Sequence, residues 1–398
     1  MGPGRRDRVV TAEQAWGASG LAWLTGQPDG RPDFSRAAVL QRATHVLRRF
    51  TAATGVGADA AELLAGRAGL LGWTRSGRVS AGAASRLLAA ADGWWALTLS
   101  RADDLDAVPA LIESECSDPW AGITGWSSKR PVAEIVARAR LLDLPAAALG
   151  ETAPGAPVVR RVGRPGPARG LPGALVVDLT SLWAGPLCGR LLAQAGATVI
   201  KVESPSRPDG TRAGTSAFFD WMNGGKLSCA LDFDRDARDL AQLLAAADVV
   251  LEGSRPAALA RRGLGPLDVA GRPGRVWLQI TAHGAERGYV GFGDDAAVAG
   301  GLVGCDADGG PVFCGDAIAD PLTGIEAAAA VADSLARGGG EVITVALAAV
   351  AANYAALPKH APAGEVSALP PPCPRIEGAG PALGADNARI RDLMAARC

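Results

Sequence analysis

Beyond residue 172 the chain alternates short, mostly apolar runs with stretches whose apolar residues return at helical spacing. Residues 174–179, 198–202, 248–251 and 275–280 read as strands, and 342–345 as a further strand after the Gly338-Gly339-Gly340 turn. Runs this apolar suit strands buried on both faces. Residues 186–195 and 238–247 read as helices, the second with Leu240, Leu243 and Leu244 on one side. Strand and helix alternating at this spacing predict βαβ units and a parallel sheet. A polyproline break at 370–374 precedes a final helix at 386–394.

The first half has a different texture. Trp16, Leu21, Trp23 and Leu24 suggest a partly helical start, and 37–51 reads as a helix with Val39, Leu40, Val46, Leu47 and Phe50 apolar. A polar turn at 74–77 leads to a small-residue helix at 81–91, and Asp92-Gly93 marks a turn into a buried strand at 94–99. Ser100 is placed to cap a helix with Asp103 and Asp104 in its first turn. Residues 131–142 form another expected helix, with Glu134 early and Arg138 and Arg140 late. Between the halves, 153–172 is rich in Gly, Pro and Arg and reads as a linker. The expected organisation is a small α+β domain (1–152), that linker, and an α/β domain (173–398).

Length and composition fit two domains: 398 residues, 48% hydrophobic, 20% charged. Forty basic residues against 41 acidic ones leave no cationic excess to displace counterions, so nucleic acid is not an expected partner. The seven cysteines fall in no metal-binding spacing, and no metal site is expected; they read as small buried hydrophobes of a reduced, cytoplasmic protein. Neither a signal-like leader nor a run of about 18 apolar residues is seen, so no membrane association is expected.

The first crossover, Asp178-Leu179-Thr180-Ser181-Leu182-Trp183-Ala184-Gly185-Pro186, ends at a helix N-terminus, and Glu203 closes the next strand. That is the distance at which a dinucleotide fold places its ribose-binding acid. The three-glycine fingerprint is missing, however, and Leu182 and Trp183 fill the turn, which argues against nicotinamide binding.

The order of motifs from Leu171 onward resembles the family III CoA transferases (the CaiB/BaiF family). The matching pieces are Val177-Asp178-Leu179-Thr180, Ala184-Gly185-Pro186, the stretch from Gly196 to Glu203, Asn223-Gly224-Gly225-Lys226, Leu231-Asp232, the stretch from Ala247 to Glu252, Arg255-Pro256, Leu264-Gly265, and Ala319-Asp320 with Thr323-Gly324. The resemblance implies a Rossmann-like large domain. Asp92-Gly93-Trp94-Trp95-Ala96-Leu97, Asp103-Asp104 and Leu144-Pro145-Ala146-Ala147 are similar to the family's smaller domain, which usually follows the catalytic half. Here it comes first, as in a circular permutation.

Asp320 matches the family's nucleophile; its local alternative is an N-cap for a helix starting at Pro321. Asp316 is the runner-up, and Asp294 and Asp295 are more distant candidates. The resemblance implies a CoA site at Leu182, Trp183, Ala184, Ser204, Leu231, Asp232, Gly253, Ser254, Arg255 and Arg261. Some family members carry Arg at the Ser204 position, so Arg255 and Arg261 are left to supply phosphate charge. His283 is a candidate substrate contact, with a hydrogen-bonded loop histidine as the plainer reading. No histidine stands near 292–294, which disfavours racemase activity. Trp73, Trp94, Trp95, Trp120 and Trp126 are expected in the small domain's core or interface.

The implied reaction moves CoA from an acyl-CoA to a carboxylic acid through an aspartyl anhydride and an aspartyl-CoA thioester, with Gly300-Gly301 as candidate oxyanion donors. CoA is then a substrate, no permanent cofactor is needed, and a homodimer is expected. An acyl-CoA isomerase or lyase-type enzyme, and a non-catalytic acyl-CoA-binding protein, are the alternatives.

Overall fold

The apolar runs become the strands of a sheet that is covered on both sides. The computed structural model describes residues 10–253, 258–284, 286–362 and 364–395. Four helices come first: α1 (Ala12–Ala18), α2 (Leu21–Leu24), α3 (Ala37–Thr54) and α4 (Ala60–Leu71). A small unit follows, with β1 (Ser85–Ala89), β2 (Trp94–Thr98), α5 (Ala102–Asp106), α6 (Val108–Ile112), α7 (Pro119–Ser127), α8 (Val132–Leu141) and β3 (Ala146–Ala148). The large unit runs through β4 (Val158–Arg161), β5 (Leu175–Leu179), α9 (Ala184–Gln194), β6 (Thr198–Glu203), α10 (Ser216–Asn223), β7 (Leu227–Ala230), α11 (Ala237–Ala246), β8 (Val249–Glu252) and β9 (Val276–Thr281). It finishes with α12 (Gly293–Ala299), β10 (Val303–Cys305), β11 (Pro311–Phe313), α13 (Ala319–Ala336), β12 (Glu341–Ala346), α14 (Leu347–Ala355) and α15 (Asn387–Ala395).

Among the described residues the large sheet has seven strands in the order β4-β12-β9-β8-β5-β6-β7, parallel except for the edge strand β4. The chain order reverses between β5 and β8, the switch point at which open α/β sheets bind ligands. Alternate residues feed opposite layers. Val176, Val249 and Leu278 pack with α9, α13 and α14, while Val177, Val250 and Trp277 pack with the Leu240-Leu243-Leu244 face of α11. Gly324 lets α13 lie close on α9, because a Cβ there would come within 2.7 Å of the Ala184 carbonyl. That contact sets the start of α13 beside the first crossover.

Three boundaries differ from the sequence reading. Residues 12–71 do not belong with the small unit: Trp16, Leu47, Phe50 and Leu64 share one core with Leu187, Ile325 and Val331. The small unit's own core is Leu88, Trp95, Leu97, Leu111, Ile123, Trp126 and Ile135. Within the expected helix 81–91, Ala83 adopts a left-handed conformation (φ 61°) and 85–89 pairs antiparallel with β2. Cross-strand packing under Trp95 outweighs local helix propensity there. Finally, the Gly/Pro/Arg-rich linker contributes β4, whose backbone extends the sheet beside β12.

Candidate active site

Two buried lysines build the crossover. Lys226 donates to the Asp178 carboxylate (2.9 Å), the Pro186 carbonyl and Asn223, and Lys201 donates to Asp209 (2.8 Å) and the Thr180 carbonyl. Both ion pairs are fully enclosed. Burial opposes ionisation of Asp178, but Lys226 and Lys201 hold its carboxyl below the usual range. Breaking such a pair strands a charge, so these four side chains lock the backbone between β5 and α9. Asp209 also accepts the Leu182 N–H, and Leu182 sits in the left-handed region (φ 72°) with its side chain exposed. Lys201 and Lys226 thus hold the turn from beneath. Glu203 is likewise committed, forked by Arg212 (2.9 and 2.6 Å), and offers no ribose contact.

Most of the residues proposed for CoA follow the C-terminal ends of four adjacent strands. Leu182, Trp183 and Ala184 follow β5, Ser204 follows β6, Leu231 and Asp232 follow β7, and Gly253 follows β8. A Cβ on Gly253 would lie 3.4 Å from Thr180, so these two strand ends are close neighbours at the switch point. Arg261 is exposed in a 3-10 turn at Ala260–Arg262. Ser254 and Arg255 lie outside the described residues. Ser204 shares a 2.9 Å hydroxyl contact with Ser206. Asp232 is occupied by its own turn, accepting from the Asp234 and Arg235 amides and from Arg235 Nε.

Asp320 is in the first turn of α13, but the cap residue is Ile318, so the N-cap alternative does not hold. Its carboxylate reaches the start of α12 instead: a Cβ on Gly293 would stand 2.4 Å from Asp320 Oδ2. Burial pushes Asp320 up to about 7, with Arg67 opposing and Asp294 and Asp316 adding like charge. A helix N-terminus by itself favours the ionised form, and here desolvation outweighs it. Burial raises Asp294 to about 6 in the same way.

Arg67, from α4, is the cation of this cluster. It forks the Asp316 carboxylate (Nε to Oδ2 2.8 Å), and its guanidinium lies 4.3 Å from the centre of the Trp183 ring. Trp73 and Phe218 complete the aromatic enclosure. Arg67 thereby ties the crossover to the acids. No local pattern marked it, since Arg67 stands as a lone basic residue among the small and apolar residues of α4. Asp316, the runner-up nucleophile, is buried and held by this fork.

Two other expectations are corrected. The Gly300 and Gly301 amides close the end of α12 by donating to Ala296 and Val298 carbonyls, so they are not free to hold an oxyanion. His283 is buried, with neither ring nitrogen hydrogen-bonded among the described residues, rather than a hydrogen-bonded loop residue. Burial, and then Arg140 and Arg287, lower it to about 4, so its ring is neutral at pH 7. Asp295 Oδ2 is unpartnered too, and a Cβ on Gly291 would lie 2.8 Å from it and 3.1 Å from His283 Nε2. An open groove of about 810 Å³ lies on the small unit, lined by Trp94, Val136, Arg140 and Tyr289 among others, apart from the acids.

Residues 171–368 match CoA-transferase family III, a span that takes in the crossover, the strand ends and Asp320. They are a family III CoA-transferase domain. Over 203 residues the chain is 33% identical to the succinate–glutarate CoA-transferase of Agrobacterium fabrum, covering 44% of this chain and 50% of that protein. It is 38% identical over 130 residues to the probable fatty acyl-CoA transferase of Mycobacterium tuberculosis, covering 30% of this chain and 33% of that protein. A solved CaiB/BaiF family protein from Brucella suis is 30% identical, with a TM-score of 0.42 over 48% of this chain and 56% of that one. The chain thus spans half or less of the length of these two curated relatives. Ahead of the CoA-transferase domain, in sequence, stand the four helices that share its core and the small unit that supplies Ser85 and Thr98 to its acids.

Proposed function

We propose that the chain is a CoA transferase with Asp320 as nucleophile. The observation that carries this is the placement of a half-buried carboxylate, raised to about 7, where α13 meets the crossover of the family III domain. The ionised carboxylate attacks the acyl-CoA carbonyl, forming a mixed anhydride and releasing CoA thiolate. The thiolate attacks the aspartyl carbonyl, which expels the donor carboxylate and leaves an aspartyl-CoA thioester. The acceptor carboxylate attacks that thioester, and the released thiolate takes the acyl group, regenerating Asp320. No net proton or electron is exchanged in this cycle.

Burial serves the first step, since a desolvated carboxylate is more basic than one in water. Arg67, already forked to Asp316, supplies positive potential to the charge that passes through the pocket. On this reading CoA lies along Leu182, Trp183, Ala184, Ser204, Leu231 and Gly253, with Arg261 reaching its phosphates. The small unit, placed ahead of the domain as by permutation, covers the acid cluster, and two chains associate as a homodimer. Mass spectrometry of acid-quenched protein after mixing with an acyl-CoA is expected to find CoA or acyl mass on the peptide holding Asp320. Transfer without any such adduct, undiminished in Asp320→Asn, would remove the nucleophile assignment.

The unpartnered His283 ring and Asp295 Oδ2 beside Gly291 favour a second reading, acyl-CoA isomerisation, because two bases facing one space suit proton exchange. Exchange of the α-hydrogen of an acyl-CoA with deuterated water, with no CoA transfer, would support it over the first.

A further inference from the structure

Asp294 and Asp295 are joined through the small unit by a row of buried oxygens. Asp294 Oδ2 lies 3.0 Å from Ser85 Oγ, Ser85 Oγ lies 2.9 Å from Thr98 Oγ1, and Thr98 Oγ1 lies 3.0 Å from Asp295 Oδ1. Ser85, Thr98 and Asp295 are essentially inaccessible to solvent. Three contacts link four oxygens, yet two hydroxyls bring only two protons. With both acids ionised, each hydroxyl must donate to its carboxylate. The Ser85 and Thr98 oxygens then face each other with no hydrogen between them. A third proton, on one of the carboxyls, completes the row.

The remaining contacts decide which carboxyl. Asp294 Oδ1 accepts the Ala317 N–H (3.0 Å), which leaves Oδ2 to carry a hydrogen toward Ser85. Asp295 Oδ1 accepts the Phe292 N–H (2.9 Å) as well as facing Thr98, so this oxygen is placed to take two donors rather than to carry the row's hydrogen itself. We propose that Asp294 is a protonated positioning residue: its Oδ2–H donates to Ser85, Ser85 donates to Thr98, and Thr98 donates to an ionised Asp295. The row needs one proton and moves no electrons. Arg67, Asp316 and Asp320 act on Asp294, while the neutral His283 lies on the open side of Asp295 and feels the charges of Arg140 and Arg287. Burial raises both acids, Asp294 to about 6 and Asp295 to about 7; that order taken alone favours Asp295, and the assignment to Asp294 rests on the hydrogen-bond directions.

The consequence for catalysis rests on the transfer reading, whereas the proton count does not. A neutral Asp294 removes a like charge beside Asp320, so the nucleophile ionises against Asp316 alone, and Asp316 is already paired with Arg67. The small unit thereby tunes the large one through two hydroxyls.

The test is infrared spectroscopy of the full-length chain at pH 7, in an Asp320→Asn background that removes the nucleophile's own proton. One protonated-carboxyl band per chain is expected there. Adding Asp295→Asn should keep it, because the Phe292 N–H holds the Asn oxygen toward Thr98 and Asp294 still supplies the missing proton. Adding Asp294→Asn should abolish it, because the Ala317 N–H turns the Asn amino group toward Ser85, where it takes the proton's place. In the Asp320→Asn/Asp295→Asn chain, Thr98→Val should abolish the band and Thr98→Ser should retain it, a rescue that a packing role does not predict. A band that survives Asp294→Asn and vanishes in Asp295→Asn puts the proton on Asp295 and overturns the assignment. No band in the Asp320→Asn chain overturns the shared proton altogether. Loss of transfer bears on the nucleophile and leaves these outcomes unchanged.

Discussion

The crossover and the acid cluster are neighbours built on opposite electrostatic plans. Beneath the crossover every buried charge has its complement: Lys226 with Asp178, and Lys201 with Asp209. Around Asp320 the balance fails, because among the described residues Asp294, Asp316 and Asp320 share one guanidinium, that of Arg67. The first arrangement fixes a backbone shape; the second raises carboxyl groups into the range where they gain and lose protons at neutral pH. Complete pairing yields a rigid turn, and underpairing yields carboxyl groups with raised proton affinity.

The largest effect expected from probing this contrast is on turnover. Asp320→Asn should lower transfer by a factor of roughly a thousand or more, since the amide cannot attack a thioester. CoA affinity should move less than about tenfold, or about 1.4 kcal/mol, because the crossover is elsewhere. Steady-state rates and isothermal titration on one preparation measure both, and equal losses in the two would merge the regions. On the paired side, Lys226→Met should cost about 3–5 kcal/mol of stability by stranding Asp178. Urea titration reads this directly.

Gly293→Ala probes the seam between the two. Its methyl group would meet Asp320 Oδ2 and the Ala317 carbonyl, both at 2.4 Å. Transfer should drop about ten- to a hundredfold while the fold loses about 1–3 kcal/mol to overpacking. Unchanged kinetics would mean that Asp320 works from another position.

The smallest effect is a pH dependence. Asp320 has a folded-state value of about 7, above that of an unfolded aspartate. The stability it contributes is complete below the unfolded value and is lost as pH rises through about 7. The melting temperature should therefore decline from pH 5 to pH 8, and less so in Asp320→Asn. Transfer should run the other way, rising through about pH 7 as the nucleophile ionises. A flat rate profile with a steep stability profile would assign the titration to another acid.

The sheet was legible along the chain because each strand is a contiguous apolar run and each crossover helix a contiguous stripe. The succession 174–179, 198–202, 248–251 and 275–280 needs no distant contact to be read. Asp320 was placed by the order of motifs around it, not by its neighbours, which suggested only a cap. Residues 81–91 were misread as helix because their small side chains do not report the partner strand that Trp94–Thr98 provides.

What the sequence by itself determined is the parallel α/β order, the linear position of Asp320, and the near balance of acids and bases. Only the tertiary structure decided that Arg67 from α4 would meet Asp316, 249 residues away, and that Ser85 and Thr98 would bridge Asp294 and Asp295, 209 and 197 residues away. Local pattern records burial and periodicity, which neighbouring residues share. Proton affinity depends on which distant charges and hydroxyls fold against a carboxyl, and on how much water they exclude.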